Sequence, residues 1–113
     1  MKLYHNTRCT KSRGALELLH DRGIEPEVVY YLETPPSPAE LRDLLGKLGT
    51  GPRGLLRSNE PEFAALGLDD PSLDDEALVA AMSANPRLIE RPVFVNGDRA
   101  VIGRPPERVL EIL

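Results

Sequence analysis

A chain of 113 residues, 41% hydrophobic and 28% charged with a net charge of −4, has the composition of one folded domain, since disordered chains carry less apolar matter and more net charge. Its single cysteine excludes an intrachain disulfide, and one thiol with two histidines cannot supply the four ligands of a structural zinc site, so no metal is expected. Eighteen acidic against fourteen basic residues argue against the basic footprint of a nucleic-acid binder. No apolar run approaches the ~20 residues that cross a bilayer, and Met1-Lys2-Leu3-Tyr4-His5 has no signal-peptide core, which predicts a cytoplasmic location and no membrane partner.

Lys2-Leu3-Tyr4-His5 reads as a first strand. The polar loop Asn6-Thr7-Arg8 follows, then a helix that opens at Cys9, carries Ala15, Leu16, Leu18 and Leu19 on one side, and ends at Gly23. Glu27-Val28-Val29-Tyr30-Tyr31 is β-branched and aromatic and predicts a second strand, parallel to the first across a right-handed crossover. Ser37-Pro38-Ala39-Glu40 is a capping box with proline at the first helical position; Leu41, Leu44, Leu45 and Leu48 face inward and Gly49 stops the helix. Residues 52–57 and 61–66 predict two short helical pieces, and Asp74 to Ala84 a longer one with Leu78, Ala81 and Met82 on its inner face. Residues 59–90 hold eight acidic residues and one basic, and a solvated helical face accounts for that charge.

Val93-Phe94-Val95 predicts a third strand, Asn96-Gly97 a two-residue turn, and Ala100-Val101-Ile102 an antiparallel return. Gly103-Arg104-Pro105-Pro106 leads into a final helix with Val109, Leu110 and Leu113 inward. The order β-α-β, helical insert, β-β-α predicts an α/β fold with a four-stranded mixed sheet. It is read as a single domain over residues 1–113, with the helical insert at about 37–90.

A lone cysteine is ordinarily a small buried hydrophobe. Cys9 differs in opening a helix, where free backbone N–H groups and the positive end of the helix dipole favour the thiolate, with Lys11, Ser12 and Arg13 in the same first turn. At the reference pKa of about 8.5 only ~3% of a thiol is ionised at pH 7, so any lowering raises the nucleophile's concentration. His5, four residues before Cys9, is placed to tune the thiol or to order the loop, and the Ser12 hydroxyl to donate to the thiolate or to cap the helix. Arg13 is expected to be an outward or structural side chain, with holding the loop as its other role, and His20, beside Gly23, a surface charge at the helix C-terminus.

The segment His5-Asn6-Thr7-Arg8-Cys9-Thr10-Lys11-Ser12-Arg13 resembles the His-x3-Cys-x3-Arg loop of the ArsC-type arsenate reductases. Tyr31-Leu32-Glu33-Thr34-Pro35-Pro36, Leu55-Leu56-Arg57, Glu90-Arg91-Pro92 and Gly103-Arg104-Pro105 are similar to that family's signature segments in the same order. The resemblance spans nearly the whole chain, although Thr7 stands where the family commonly has proline. It implies a thioredoxin-like fold in which Cys9 is the nucleophile toward arsenate. It further implies that Arg57, Arg91 and Arg104 bind the oxyanion, that Pro92 is a cis-proline facing the cysteine loop, and that His5, Ser12 and Lys11 support the site. No tightly bound cofactor is implied; glutathione is the implied co-substrate and glutaredoxin the protein partner.

Two other readings compete. A general monothiol oxidoreductase would use the same cysteine and helix, and only the three arginines favour an oxyanion over it. A Spx-like regulator that binds RNA polymerase shares the overall fold but commonly carries Cys-x-x-Cys, where this chain has Ser12. A tyrosine-phosphatase-type loop would need Cys-x5-Arg, and Ala15 occupies that position.

Overall fold

Four strands, β1 (Lys2–Tyr4), β2 (Glu27–Val29), β3 (Val93–Asn96) and β4 (Arg99–Ile102), form the single sheet of the computed structural model, which describes residues 1–113, in the order β2-β1-β3-β4. β1 runs parallel to β2 with Leu3 opposite Val28, and antiparallel to β3 with Leu3 opposite Phe94. A parallel pair needs a crossover, and helix α1 (Thr10–Asp21) supplies it. The chain divides into two compact units, Met1–Thr34 with Arg91–Leu113, and Pro35–Glu90.

In the first unit, Leu3, Phe94 and Val101 are cross-strand neighbours on one face of the sheet. Ala15 and Leu19 of α1 and Val109 and Ile112 of a terminal 3₁₀ helix (Pro106–Ile112) pack with them into one buried cluster. Gly23, with φ 74°, takes the left-handed position that ends α1, and its N–H donates to the His20 carbonyl at 2.9 Å. His20 itself lies on the surface, 3.5 Å from Glu25.

Four local readings change in the first unit. Strand β2 stops at Val29 because the next residues turn: the N–H groups of Glu33 and Thr34 both donate to the Tyr30 carbonyl at 3.0 and 2.9 Å. β1 stops at Tyr4, although the N–H of His5 still donates to the Val29 carbonyl at 2.9 Å. The hairpin turn is Gly97-Asp98 instead of Asn96-Gly97. Asn96 is a strand residue opposite Arg99, anchored by its side-chain amide to the Ile112 carbonyl at 2.6 Å, and a positive φ at Gly97 alone fits a type II′ turn. The last helix is 3₁₀, whose three-residue turn brings Val109 and Ile112 to one side and leaves Leu113 exposed.

The second unit is built from α2 (Pro38–Leu48), α3 (Pro61–Ala65) and α4 (Asp75–Ala84), with 3₁₀ turns at Pro52–Gly54 and Pro86–Leu88. Leu41, Leu44 and Leu45 of α2 and Leu78, Val79 and Met82 of α4 are buried, and the Ser83 hydroxyl donates to the Pro36 carbonyl at 2.7 Å. Residues 52–57 are helical only as far as Gly54. Leu56 pairs with Ile89 in an antiparallel bridge, flanked by Arg57 N–H to the Leu88 carbonyl at 2.7 Å and Glu90 N–H to the Leu55 carbonyl at 2.8 Å. No helix is long and apolar enough to cross a membrane.

The capping box forms in full. The Glu40 N–H donates to the Ser37 hydroxyl at 3.1 Å and the Ser37 N–H to the Glu40 carboxylate at 3.4 Å. Ser37→Ala removes the first of these, and thermal denaturation should show a loss of about 1 kcal/mol, roughly 4–6 °C in Tm for a domain of this size. An unchanged Tm would mean that packing against α4 alone sets the start of α2.

Candidate active site at Cys9

The loop between β1 and α1 is tied by its own polar groups. The Asn6 side-chain oxygen accepts from the Arg8 N–H at 3.0 Å, and the Asn6 carbonyl from the Cys9 N–H at 3.1 Å. The Arg13 guanidinium, reaching back from α1, donates to the Thr7 carbonyl at 3.2 Å. Arg13 therefore holds the loop at the position where proline would otherwise stiffen it.

Cys9 is the N-cap of α1, in extended conformation, and its side chain makes no capping bond. The sulfur is partly exposed and lies where the N–H groups of the first helical turn point. Burial pushes its thiol pKa up. Against this act the Ser12 backbone N–H, the hydrogen bond and positive charge of the Arg91 guanidinium, and the Lys11 backbone N–H, and the net result is a pKa below the usual thiol value. The Arg104 guanidinium stands 4.0 Å from the sulfur and donates to the Arg91 carbonyl at 3.2 Å, so it is held beside the thiol by the backbone of the other arginine.

Ser12 acts through its backbone. Its buried hydroxyl lies 2.6 Å from His5 Nδ1 and accepts from the Asn6 N–H at 3.0 Å. The hydroxyl thus ties His5 to the loop backbone at Asn6. Burial, and secondarily the Arg13 charge, hold the His5 pKa below its usual value. The hydroxyl pairs within the loop, and the Ser12 group that acts on the thiol is its backbone N–H. His5 packs edge-on against Tyr30, ring centroids 6.1 Å apart, and is not among the groups that act on the Cys9 thiol. The Lys11 side chain is exposed, and its backbone N–H is the part that favours the thiolate.

Pro92 is buried behind a cis Arg91–Pro92 bond, and its carbonyl accepts the Gly103 N–H at 2.9 Å. A second cis bond, Arg104–Pro105, follows the other arginine and has no counterpart in the sequence reading. Cys9, Arg91 and Arg104 thus come together in the first unit. Arg57 belongs to the second, where its Nη1 donates to Glu90 at 2.6 Å and its Nε to Glu60 at 3.2 Å. Sequence reasoning missed these two carboxylates, although both stand within three residues of an arginine it had singled out. No group of three or more His, Cys, Asp or Glu side chains is placed to hold a metal ion.

A thiolate flanked by two permanent cations and the N-terminus of a helix is suited to attack an electrophile that is itself an anion. Known proteins are similar to the chain over its full length. An Escherichia coli K12 protein, "Uncharacterized protein YfgD", is 55% identical over 114 residues, covering 100% of this chain and 96% of that one. A Neisseria meningitidis protein named arsenate reductase is 46% identical, covering 100% of this chain and 97% of that one. A solved structure named arsenate reductase from Vibrio cholerae is 49% identical and superposes with a TM-score of 0.97, covering 100% of this chain and 98% of that one. The order β2-β1-β3-β4 of this chain agrees with the four-stranded mixed sheet expected from sequence. The ArsC family model matches residues 4–112, and with the cysteine loop, the two flanking arginines and the sheet all in place, the chain belongs to the ArsC family.

Proposed function

We propose that the protein is an arsenate reductase in which Cys9 is the nucleophile and glutathione and glutaredoxin supply the electrons. The observation that carries this reading is the thiol of lowered pKa at the start of α1, with Arg91 and Arg104 beside it. Arsenate is a multiply charged tetrahedral anion, and a thiolate approaches it against like-charge repulsion. Two guanidinium groups offset that repulsion and can each grip oxyanion oxygens, and the helix N–H groups add donors to the same anion.

In the first step a sulfur–arsenic bond forms and an arsenic–oxygen bond breaks, the oxygen leaving as hydroxide or, after protonation, as water. A glutathione thiolate then attacks the Cys9 sulfur. The electron pair of the sulfur–arsenic bond passes to arsenic, reducing arsenic(V) to arsenic(III), and arsenite leaves a Cys9–glutathione mixed disulfide. A glutaredoxin thiolate attacks the glutathione sulfur and releases Cys9 as thiolate. With no second cysteine in the chain, the resolving thiol comes from outside. Arg57, matched to the third arginine of the family's motif, is the remaining oxyanion ligand in this reading, and a cytoplasmic location, where glutathione is reduced, suits it.

The test is arsenate-dependent NADPH oxidation coupled through glutathione, glutathione reductase and glutaredoxin. Turnover is expected in the native chain and none above background in Cys9→Ser, with a glutathione adduct of Cys9 seen by mass spectrometry when glutaredoxin is withheld. No arsenate turnover, together with rapid exchange on glutathionylated protein substrates, would assign Cys9 to general monothiol chemistry instead.

A further inference from the structure

Arg13 stands one helical turn beyond Cys9, and its own N–H donates to the Cys9 carbonyl at 3.0 Å. A long side chain on a helix lies back over the preceding turn, and here that turn begins at the nucleophile. The guanidinium straddles Cys9. Its Nη1 donates to the carbonyl of Thr7, before the cysteine, at 3.2 Å, and its Nη2 to the hydroxyl of Thr10, after the cysteine, at 3.5 Å. The rest of the loop is tied through Asn6, whose carbonyl, side-chain oxygen and N–H engage Cys9, Arg8 and Ser12. None of those bonds reaches the Thr7 carbonyl, so Arg13 is the group that fixes that peptide. Thr7, Thr10 and Arg13 are all exposed, where such bonds add little to stability. What a planar fork with two acceptors does fix is direction.

We propose that Arg13 is a positioning residue for the nucleophile: its guanidinium clamps the chain on both sides of Cys9 and so sets where the sulfur stands toward the helix N–H groups and the incoming electrophile. This rests on the reading of Cys9 as the attacking thiol, and not on arsenate being what it attacks. Charge is not the means. The Ser12 and Lys11 N–H groups and the Arg91 guanidinium lower the thiol pKa, and Arg13 is not among the groups acting on it; its charge acts on His5 instead. A change at the sulfur when Arg13 is removed is therefore carried by geometry. Hydrogen bonds to the sulfur weaken as their alignment is lost, and a nucleophile misplaced by about 1 Å reacts up to ~100-fold more slowly.

Iodoacetamide alkylation of Cys9 across pH reads the thiolate without any substrate, and steady-state arsenate reduction reads kcat and KM. In Arg13→Ala the alkylation midpoint is expected to move upward, with the rate at neutral pH about threefold lower. Its kcat should fall about tenfold, with KM within twofold of native because the clamp does not touch the anion. The alkylation difference should persist at ~1 M salt, where a long-range charge effect is screened out. Thr10→Val removes one arm and should cost about twofold in kcat, and the double variant should be no slower than Arg13→Ala, since the same bond is already lost. Should Arg13→Ala fail to fold, Arg13→Met, which keeps the aliphatic stem and loses the fork, takes its place. A native alkylation profile, even with a lower Tm, would make Arg13 merely structural and overturn the proposal. So would a shift that vanishes in high salt, a rise in KM in place of the fall in kcat, or additive losses in the double variant. If the native chain reduces no arsenate, the reductase reading falls by itself, and alkylation of Arg13→Ala at low and high salt still decides the clamp.

Discussion

Replacing Arg91 by alanine should lower arsenate-dependent turnover about 10²–10³-fold, the cost typical of removing one donor from a site where charge develops. Two separable losses contribute. The guanidinium hydrogen-bonds the Cys9 sulfur and places a positive charge beside it, and in the proposed reaction it also grips the oxyanion. The first loss has its own signature. Because Arg91 lowers the Cys9 pKa, its removal raises it, so the midpoint of Cys9 alkylation against pH moves upward. Below the midpoint the thiolate fraction falls tenfold for each pH unit, so the variant loses reactivity at a higher pH than the native chain, while the Ser12 and Lys11 N–H groups still act on the sulfur. If the midpoint stays put while turnover falls, Arg91 serves the oxyanion alone. If both stay at native values, the assignment of Arg91 to the site is wrong.

Gly103→Ala should be among the most destabilising small substitutions in the first unit. A Cβ built there meets the Pro92 ring at 2.8 Å and a Val109 methyl at 3.1 Å. Neither neighbour is a flexible chain end: Pro92 is a closed ring and Val109 is fully buried. Overpacking of this kind costs about 1–3 kcal/mol, roughly 5–15 °C in Tm. Arg104 follows directly in the chain, so a shift that relieves the clash also moves the guanidinium that stands 4.0 Å from the Cys9 sulfur, and turnover should fall with stability. Gly46→Ala is the control. It lies inside α2 with nothing near its Cβ position, and there alanine should stabilise by up to about 1 kcal/mol. A Tm for Gly103→Ala within 2 °C of the native value would show that the β4 end yields easily.

Much of the site was legible because its signals are local. The strand–loop–helix passage that makes Cys9 an N-cap can be read from Lys2 to Gly23. The helix start at Ser37 follows from a four-residue pattern whose bonds span three residues. Arg57, Arg91 and Arg104 stood out only through the segments that resemble a known family, since an arginine taken alone reads as solvated surface. Local signals also misled where tertiary contacts overrode them. Asn96-Gly97 is a favoured turn pair, yet the bond from Asn96 to the Ile112 carbonyl keeps Asn96 in the strand and moves the turn by one residue. Leu113 continued the apolar pattern of the last helix, and its 3₁₀ winding left it in solvent.

By itself the sequence determined the mixed α/β order and the family, and singled out Cys9 as the candidate nucleophile, because strand and helix periodicities, caps and motif spacing are written in neighbouring residues. Only the tertiary structure decided which groups act on that nucleophile. It gave the lowering of the thiol pKa to the backbone of Ser12 and Lys11 and to Arg91, turned the Ser12 hydroxyl toward His5, and closed two carboxylates on Arg57. Those assignments depend on distances between residues up to 95 positions apart, as for Arg104 and Cys9, and on one proton or lone pair being used in one place and not another. Hydrogen bonding and charge fall off within a few ångströms, so which partner wins is settled only when the chain has brought its distant segments together.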